Sequence, residues 1–185
     1  MTLTKSIVSI ENVVATGDVF QRVDLIAITK KFPGVEYHPE TFPGLVFRLK
    51  SPKTSTLIFS SGKMVCTGAR SEEQSGKAIR AVAKSLHAKK IILPKEPKIE
   101  VQNIVASGNL GGKIYLEEAA RQLPRSIYEP EQFPGVIHRM VEPKCVFLLF
   151  SSGKLVCTGA KSSVKVYRAV SAMHNNLEQR NLMMY

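Results

Sequence analysis

The chain carries one thirteen-residue segment twice, and this repeat limits how the chain can fold. Residues 57–69 read LIFSSGKMVCTGA, and residues 148–160, which begin 91 positions further along, read LLFSSGKLVCTGA. Each copy is apolar at both odd and even positions, although the side chains of a strand alternate between its two faces. Both faces of this segment are therefore expected to contact something other than water.

The same offset aligns other parts of the chain, for example NVVA at 12–15 with NIVA at 103–106. Two copies at this spacing are too few and too long for a solenoid. The repeat instead predicts two similar lobes, residues 1–91 and residues 92–185. The segment that joins them, LPKEP, is short and contains two prolines, so we expect the lobes to pack tightly.

Each lobe shows the order strand, helix, four strands, helix. Runs of β-branched residues predict the strands, and Pro-Gly, Ser-Pro and Ser-Gly pairs predict the turns. The capping box SEEQ predicts the start of the long second helix. For the first lobe we predict a strand at 7–15, a helix at 22–31, strands at 35–37, 44–50, 55–60 and 63–67, and a helix from 71 to about 89. The predicted fold class is α+β, with an antiparallel sheet and helices on one side of it.

The chain is basic throughout its length. Its net charge is +11 and its pI is about 9.7. Residues 1–90 carry 14 Lys and Arg against seven Asp and Glu, and residues 91–185 carry 12 against eight. A positive field of this extent favours a polyanion as partner, with nucleic acid ahead of an anionic membrane surface. A basic protein without such a partner is the alternative at this stage.

The cysteines and the N-terminus predict an intracellular protein. Cys66, Cys145 and Cys157 form no C-x-x-C motif, and no secretory signal begins the chain. These features are typical of a protein with reduced thiols. No apolar run approaches the roughly 20 residues of a membrane span, so no membrane partner is expected.

Strand parity leaves one apolar face of the sheet open. The helices can cover only one face, and Met64 and Cys66 are expected on the covered side because Lys63 and Thr67 lie on the other side. The open side then holds Leu57, Phe59, Val65, Leu148, Phe150 and Val156, with Asn12, Val14, Asn103 and Val105 of the first strands. An exposed apolar patch with a basic rim fits the minor groove of DNA, which has apolar sugar walls and phosphate edges. A second protein layer over the sheet, or a dimer, is the alternative.

Together these segments resemble the conserved core of the TATA-box-binding protein family, in its archaeal type. The resemblance rests on FSSGKMVCTGA and FSSGKLVCTGA, on NVVA and NIVA, on the two segments YHPETFPG and YEPEQFPG, and on the direct repeat itself. It covers nearly the whole chain. It implies a curved ten-stranded antiparallel saddle with helices on the convex face. The family is known to bind and bend the minor groove of an A·T-rich promoter element, so this behaviour is an implication of the resemblance.

By position, the resemblance implies three groups of DNA-binding residues. The wedges that partly unstack a base step at each end of the element are Phe42 with Phe59 and Phe133 with Phe150. The residues at base edges and the groove floor are Asn12, Val14, Leu57, Val65, Thr67, Asn103, Val105, Leu148, Val156 and Thr158. The residues that hold phosphates are Arg48, Lys63, Arg70, Arg139, Lys154 and Lys161. We expect the two asparagine amides to be hydrated in the free protein and to meet base acceptors in the complex.

The resemblance also implies protein partners. Glu129 and Glu131, just before Phe133, match the segment on which transcription factor B docks, with Gln132 where an apolar residue is expected. The implied function is a general transcription initiation factor that binds double-stranded DNA and recruits transcription factor B and RNA polymerase. The implied location is the archaeal cytoplasm, at the nucleoid, or the nucleus in a eukaryote. The sequence leaves open whether the free protein forms a homodimer.

An enzyme is the rival class of function. Met64 follows Gly62-Lys63 where a P-loop requires Ser or Thr, and the four histidines do not recur at matching repeat positions. Cys66 and Cys157 do recur, but we expect them in the core. We therefore expect no catalytic residue, no metal site and no cofactor. A non-catalytic DNA-binding saddle associated with DNA repair remains the alternative function. A lipid or protein scaffold would not need a wedge phenylalanine at four equivalent positions.

Overall fold

The structure, a computed structural model, describes residues 6–185. Its helices are α1 (Leu25–Lys31), α2 (Glu72–Ala88), α3 (Leu116–Gln122) and α4 (Ser163–Gln179). Its strands are β1 (Ile7–Asp18), β2 (Leu45–Lys50), β3 (Lys53–Ile58), β4 (Lys63–Ala69), β5 (Lys98–Asn109), β6 (Lys113–Ile114), β7 (Ser126–Ile127), β8 (Gly135–Met140), β9 (Cys145–Phe150), β10 (Lys154–Ala160) and β11 (Met183–Met184). Within residues 6–185, no helix is long and apolar enough to cross a lipid bilayer.

The described chain forms two compact units. The first unit is Asn12–Gln102, and the second combines the described residues up to Glu11 with Asn103–Tyr185. The unit boundaries fall inside β1 and β5, so each unit holds most of one sequence copy and a short strand segment of the other. The compact units thus divide the chain inside β1 and β5, whereas the predicted sequence repeats divide it between residues 91 and 92. The division into repeats at residues 1–91 and 92–185 remains a prediction.

In the first unit the strand order is β2-β3-β4-β1, and the paired strands are antiparallel. Helix α2 begins where the capping box predicts, because the Ser71 side chain accepts the backbone N–H of Gln74 at 3.0 Å. The apolar face of α2 forms a core with the sheet in which Ile58, Met64 and Ile79 are fully buried. Removal of this apolar surface from water stabilises the unit.

The second unit repeats the arrangement with the strand order β5-β10-β9-β8-β7. The Ser162 side chain caps α4 by accepting the backbone N–H of Lys165 at 3.3 Å. Phe147, Leu149 and Met173 are fully buried in its core. The short strands β6 and β11 pair with each other outside this order.

The predicted fold class, α+β with a repeated antiparallel sheet and helices on one side, is confirmed. Three strand bounds differ by two or three residues, since β1 ends at Asp18, β3 is Lys53–Ile58 and β4 ends at Ala69. Two larger differences concern α1 and the segment 35–37. Helix α1 begins at Leu25, after the predicted start at 22, because the Asp24 side chain caps it by accepting the backbone N–H of Ala27. The segment 35–37 is not a strand but forms only the isolated bridge between Glu36 and Val46. The described residues therefore form nine strands in the main order, where ten were predicted, with β6 and β11 as an additional pair.

Candidate nucleic-acid interface

In each unit, burial alternates along the central strands, so one sheet face is closed and the other is partly exposed. In the first unit Leu57 and Val65 are cross-strand partners and both are half-exposed. In the second unit Leu148 and Val156 are paired and half-exposed in the same way. Val14 and Val105 are half-exposed as well. We call this side the open face of each unit, and it holds the apolar residues that parity predicts.

Each open face carries a pair of phenylalanine rings. Phe42 and Phe59 pack edge to face with ring centroids 6.0 Å apart and planes at 70°. Phe133 and Phe150 repeat the geometry at 5.8 Å and 64°. Phe42 is 43% exposed, and the other three rings are half-exposed. Edge-to-face packing is a favourable aromatic geometry, so both pairs are formed before any ligand is present.

A glycine supports each ring pair. A Cβ atom at Gly44 would lie 2.7 Å from Cε1 of Phe42 and 3.1 Å from Cε1 of Phe59, and a Cβ atom at Gly135 would lie 3.0 and 3.2 Å from the equivalent ring atoms. Only glycine allows the rings to approach the backbone this closely. The glycine of each FPG segment is thus part of the site, a role that sequence reasoning missed when it assigned these glycines to turns.

An asparagine side chain of each open face is tied to the backbone of a bulge. Oδ1 of Asn12 accepts the N–H of Gly68 at 2.7 Å, and Oδ1 of Asn103 accepts the N–H of Gly159 at 2.7 Å. The two glycines have φ values of 96° and 101°, and the strand register shifts beside them, as in a β-bulge. The expectation that water satisfies both amides in the free protein is therefore wrong for their oxygen atoms.

This bond fixes the orientation of the amide. A backbone N–H can only donate, so the oxygen of each asparagine faces the glycine and the NH₂ group faces other acceptors. In the second unit Nδ2 of Asn103 donates to Oγ1 of Thr158 at 3.2 Å, which leaves the second N–H of the group for a further acceptor. Thr158 and its counterpart Thr67 are half-exposed on the open faces.

Two of the three predicted phosphate-binding cations of the first unit, Arg48 and Lys63, lie beside carboxylates. Nη1 of Arg48 donates to Glu36 at 2.9 Å and Nη2 donates at 3.4 Å. This hydrogen bond and the charge of Arg48 hold the pKa of the Glu36 carboxyl below its ordinary value. Lys63 is the register partner of Asp18. Arg70 is exposed just beyond β4.

Two of the equivalent cations of the second unit, Arg139 and Lys154, have neutral register partners, Val146 and Asn109. Ile127 stands at the position equivalent to Glu36, and Lys154 is the register partner of Asn109. Within residues 6–185, Arg139 and Lys154 form no ion pair. Lys161 is exposed just beyond β10. The two units therefore share a fold but differ in the charge beside their predicted phosphate contacts.

Comparison with known proteins identifies the family. The family model for transcription factor TFIID, or TATA-binding protein, matches residues 7–88 and again residues 98–180. The chain belongs to the TATA-box-binding protein family. The TATA-box-binding proteins of Sulfolobus acidocaldarius and Pyrobaculum calidifontis are 51% and 49% identical to it, over 94% and 92% of this chain and 88% and 85% of theirs. The solved structure of Methanococcus jannaschii TBP matches with a TM-score of 0.86 and 41% identity, over 93% of this chain and 98% of that chain. The predicted family is confirmed.

In this member of the TATA-box-binding protein family, sequence reasoning missed two polar pairs beside the open faces. Oγ of Ser107 donates to Glu11 at 2.7 Å in the second unit, and Nε2 of Gln102 donates to Oγ1 of Thr16 at 3.1 Å in the first. The repeat aligns Glu11 with Gln102 and Thr16 with Ser107. A carboxylate thus stands where the other copy has a neutral amide. This difference between the copies at the 91-residue offset is visible in the sequence and could have indicated the two polar pairs.

The acidic residues predicted to bind transcription factor B are exposed. Glu129 and Glu131 lie in a turn in which the carbonyl of Glu129 accepts the N–H groups of Gln132 and Phe133 at 2.9 Å each. The turn therefore connects these carboxylates directly to a wedge ring. Docking of a partner there stays a prediction.

The cysteines lie in the closed cores. Cys66 and Cys157 are fully buried. Burial raises the pKa of the Cys66 thiol, and contact with Cys145 together with burial raises the pKa of the Cys157 thiol. Protonated, buried thiols are poor nucleophiles and poor metal ligands. In the part of the chain that the structure describes, no group of three or more His, Cys, Asp or Glu is arranged to hold a metal ion.

The bond between Asn103 and Gly159 predicts how two substitutions differ. Asn103→Asp keeps an acceptor for the N–H of Gly159 and is expected to unfold with nearly the wild-type free energy. Asn103→Leu leaves that N–H without its partner and is expected to cost about 1–3 kcal/mol. Urea denaturation followed by circular dichroism measures both, with Asn175→Leu on the exposed side of α4 as the control. Equal losses for Asp and Leu would contradict the structural role of the bond.

Proposed function

We propose that the chain is a general transcription initiation factor that binds and bends the minor groove of an A·T-rich promoter element, the TATA element. The observation that carries the proposal is the open face of each unit. It combines an apolar floor, an asparagine NH₂ group turned away from the bulge that holds its oxygen, a seated pair of phenylalanine rings and a rim of cations. These features match the chemistry of the minor groove and fit no enzyme mechanism.

The open faces select A·T pairs because their apolar floor has no hydrogen-bond acceptor for the amino group of guanine. An A·T pair shows only acceptors in the minor groove, whereas a G·C pair adds the amino group of guanine. Asn12 and Asn103 supply donors to those acceptors, with Thr67 and Thr158 beside them. Val14, Val105 and the other apolar residues of the floor offer no acceptor to a guanine amino group. Burial of that group without a partner costs about 1–3 kcal/mol, which excludes G·C pairs with few specific contacts.

The ring pairs act as wedges. Phe42 and Phe59 enter a base step at one end of the element, and Phe133 and Phe150 enter a step at the other end, as is known for this family. Unstacking a step costs a few kcal/mol, and burial of a ring that was partly in water returns about 1.5–3 kcal/mol. The free energy gained by ring burial thus nearly offsets the free energy cost of unstacking. Rings already packed over a glycine lose little conformational freedom on insertion, which favours the bent complex.

The rim cations hold the phosphates of the bent duplex. Arg48, Lys63 and Arg70 serve one end, and Arg139, Lys154 and Lys161 serve the other. In the first unit the carboxylate of Glu36 competes with phosphate for Arg48, and Asp18 offsets the charge of Lys63. Among residues 6–185, no carboxylate pairs with Arg139 or Lys154, so the second unit contributes more of the salt-dependent affinity.

The bound protein recruits other proteins and does not catalyse a reaction. Transcription factor B docks on the turn with Glu129 and Glu131, and RNA polymerase follows. The two carboxylates are exposed, so a basic surface of the partner is the complementary surface. With relatives of the kind named above, the cellular setting is the cytoplasm of an archaeon, at the nucleoid.

A non-catalytic DNA-binding saddle associated with DNA repair is the alternative function. The comparisons do not favour it, because the family model matches both copies and the relatives named TATA-box-binding protein cover most of the chain. A decisive binding experiment compares duplexes with and without a TATA-like element. A protein that bound damaged or mismatched duplexes in preference would support the alternative.

The wedge role predicts a change in bend without loss of the fold. Phe150→Ala is expected to reduce the bend of a bound A·T-rich duplex and to weaken binding, because one base step is no longer held open. Fluorescence transfer between dyes at the two duplex ends measures the bend. Phe59→Ala, its counterpart in the other unit, is expected to do the same. A core-like loss of stability with an unchanged bend would contradict the wedge assignment.

The unequal charge of the two rims predicts unequal salt dependence. Arg139→Ala and Lys154→Ala are each expected to reduce the slope of log K against log salt concentration by about 0.9. Arg48→Ala and Lys63→Ala are expected to reduce it less. Glu36→Ile, which introduces the residue of the other copy, is expected to steepen it. Titration of a labelled duplex at several salt concentrations gives the slopes.

Lys84→Ala on the exposed surface of α2 is the control for these titrations and is expected to leave the slope unchanged. Equal reductions from the first-unit and second-unit variants would show that the neighbouring carboxylates do not compete with phosphate.

A further inference from the structure

The turn that follows β1 in the first unit holds a phenylalanine in an unfavourable conformation. Phe20 has a φ of 54° and is 57% exposed. Its N–H donates to Oδ1 of Asp18 at 2.8 Å. A bulky side chain in the left-handed region is strained, and an exposed ring gains little from burial. Neither local geometry nor the core explains this residue.

The other copy builds the same turn without a ring. At the equivalent position Gly111 has a φ of 80°, and its N–H donates to Oδ1 of Asn109 at 2.9 Å. Glycine adopts this conformation without strain. The fold therefore requires the turn but not the phenylalanine, and a strained, exposed residue is a candidate for an interaction.

Phe20 belongs to a larger exposed patch. Nε2 of Gln21 donates to the carbonyl of Leu93 at 3.1 Å, and the N–H of Leu93 donates to Oε1 of Gln21 at 2.8 Å. The Leu93 side chain is 75% exposed. Nζ of Lys95 lies 5.6 Å from the centre of the Phe20 ring, a cation–π distance. We call Phe20, Leu93 and Lys95 the Phe20 patch.

In the second unit, a strand covers the turn that is equivalent to the Phe20 turn. Strand β11, at the end of the chain, pairs with β6, and a Cβ atom at Gly112 would lie 2.7 Å from the ring of Tyr185. Gly112 is equivalent to Gln21, and Met184 is equivalent to Leu93. An extended segment with apolar and aromatic side chains thus lies over that turn. In the first unit Pro94 takes the place of Tyr185, and the Phe20 patch stays exposed.

The charge around the Phe20 patch is positive. Among the described residues Arg22, Lys90 and Lys95 form no ion pair. Of the nearby carboxylates, Glu96 is offset by its ion pair with Arg80 at 2.7 Å, whereas Asp18 accepts the N–H of Phe20 and Asp24 caps α1. The three cations outnumber the two remaining carboxylates. A surface depression of about 250 Å³ beside the patch is lined in part by Gln21, Lys90 and Leu93.

We propose that the Phe20 patch is a docking surface for an acidic segment of a partner protein that carries a bulky apolar side chain. The apolar side chain packs against Phe20 and Leu93, and the carboxylates of the segment pair with Lys90, Lys95 and Arg22. Phe20, Leu93 and Lys95 are not among the residues assigned to DNA, so the proposed docking is a second use of the first unit.

Selection from a phage-displayed library of random peptides tests the proposal. The full chain is the target, and peptides that also bind the Phe20→Gly variant are removed. The survivors are expected to be rich in Asp and Glu around a Leu, Phe or Trp, and one of them, labelled, is expected to bind Phe20→Gly at least about tenfold more weakly than wild type. Tyr167→Gly is the matched control, because Tyr167 is 48% exposed and the other copy has Gly76 at that position.

Phe20→Gly is expected to keep the wild-type affinity for an A·T-rich duplex and a melting temperature at or above that of wild type, since glycine relieves the strain. A lower melting temperature would show that the ring serves the fold and would overturn the proposal. Survivors without acidic residues, or no survivors, would overturn it as well. If no peptide is preferred, and if wild type binds oligo-dT but Phe20→Gly does not, the partner of the patch is single-stranded nucleic acid and the peptide proposal is wrong.

Discussion

Each unit has helices for only one face of its sheet, and the rest of the structure depends on this limit. The other face is still apolar, so its floor is left partly exposed in the free protein. The polar groups on that face are held by the backbone: the oxygens of Asn12 and Asn103 accept N–H groups of bulge glycines. The phenylalanine pairs rest on Gly44 and Gly135. Donors and wedges are thus positioned before a ligand arrives, which lowers the entropy lost on binding.

The two copies provide an internal control for what the fold requires. Both build the four long strands of the sheet, the bulge, the cap of the long helix and the ring pair, so a difference between equivalent residues of these elements is tolerated by the fold. The first copy has Glu36 and Asp18 where the second has Ile127 and Asn109. These differences change the charge beside the predicted phosphate contacts. Phe20 against Gly111 adds an exposed ring to one unit alone. Where the copies diverge at exposed positions, binding explains the difference better than stability does.

Much of this organisation could be predicted from the sequence. The resemblance of the repeated motifs implied the family, and the order of the elements predicted the α+β class. The parity of LIFSSGKMVCTGA predicted the residues of the open face, because side-chain alternation is a local property of a strand. The bond from Asn103 to Gly159 could not be predicted, since it depends on a bulge in a strand 56 residues away. The ion pair of Arg48 and Glu36 depends on the isolated bridge at Glu36, where a strand was predicted. The support of the rings by Gly44 and Gly135 could not be predicted either, because it depends on the distance between each ring and the backbone in the folded chain.

Binding to a duplex in which inosine·cytosine pairs replace the A·T pairs of the element tests the central claim most directly. Inosine lacks the amino group of guanine, so this duplex has the major groove of G·C pairs and a minor groove with the acceptor pattern of A·T pairs. If the open faces bind the minor groove, the inosine duplex should be bound and bent nearly as well as the A·T duplex and far better than the G·C duplex. Binding as weak as that to G·C would contradict the account.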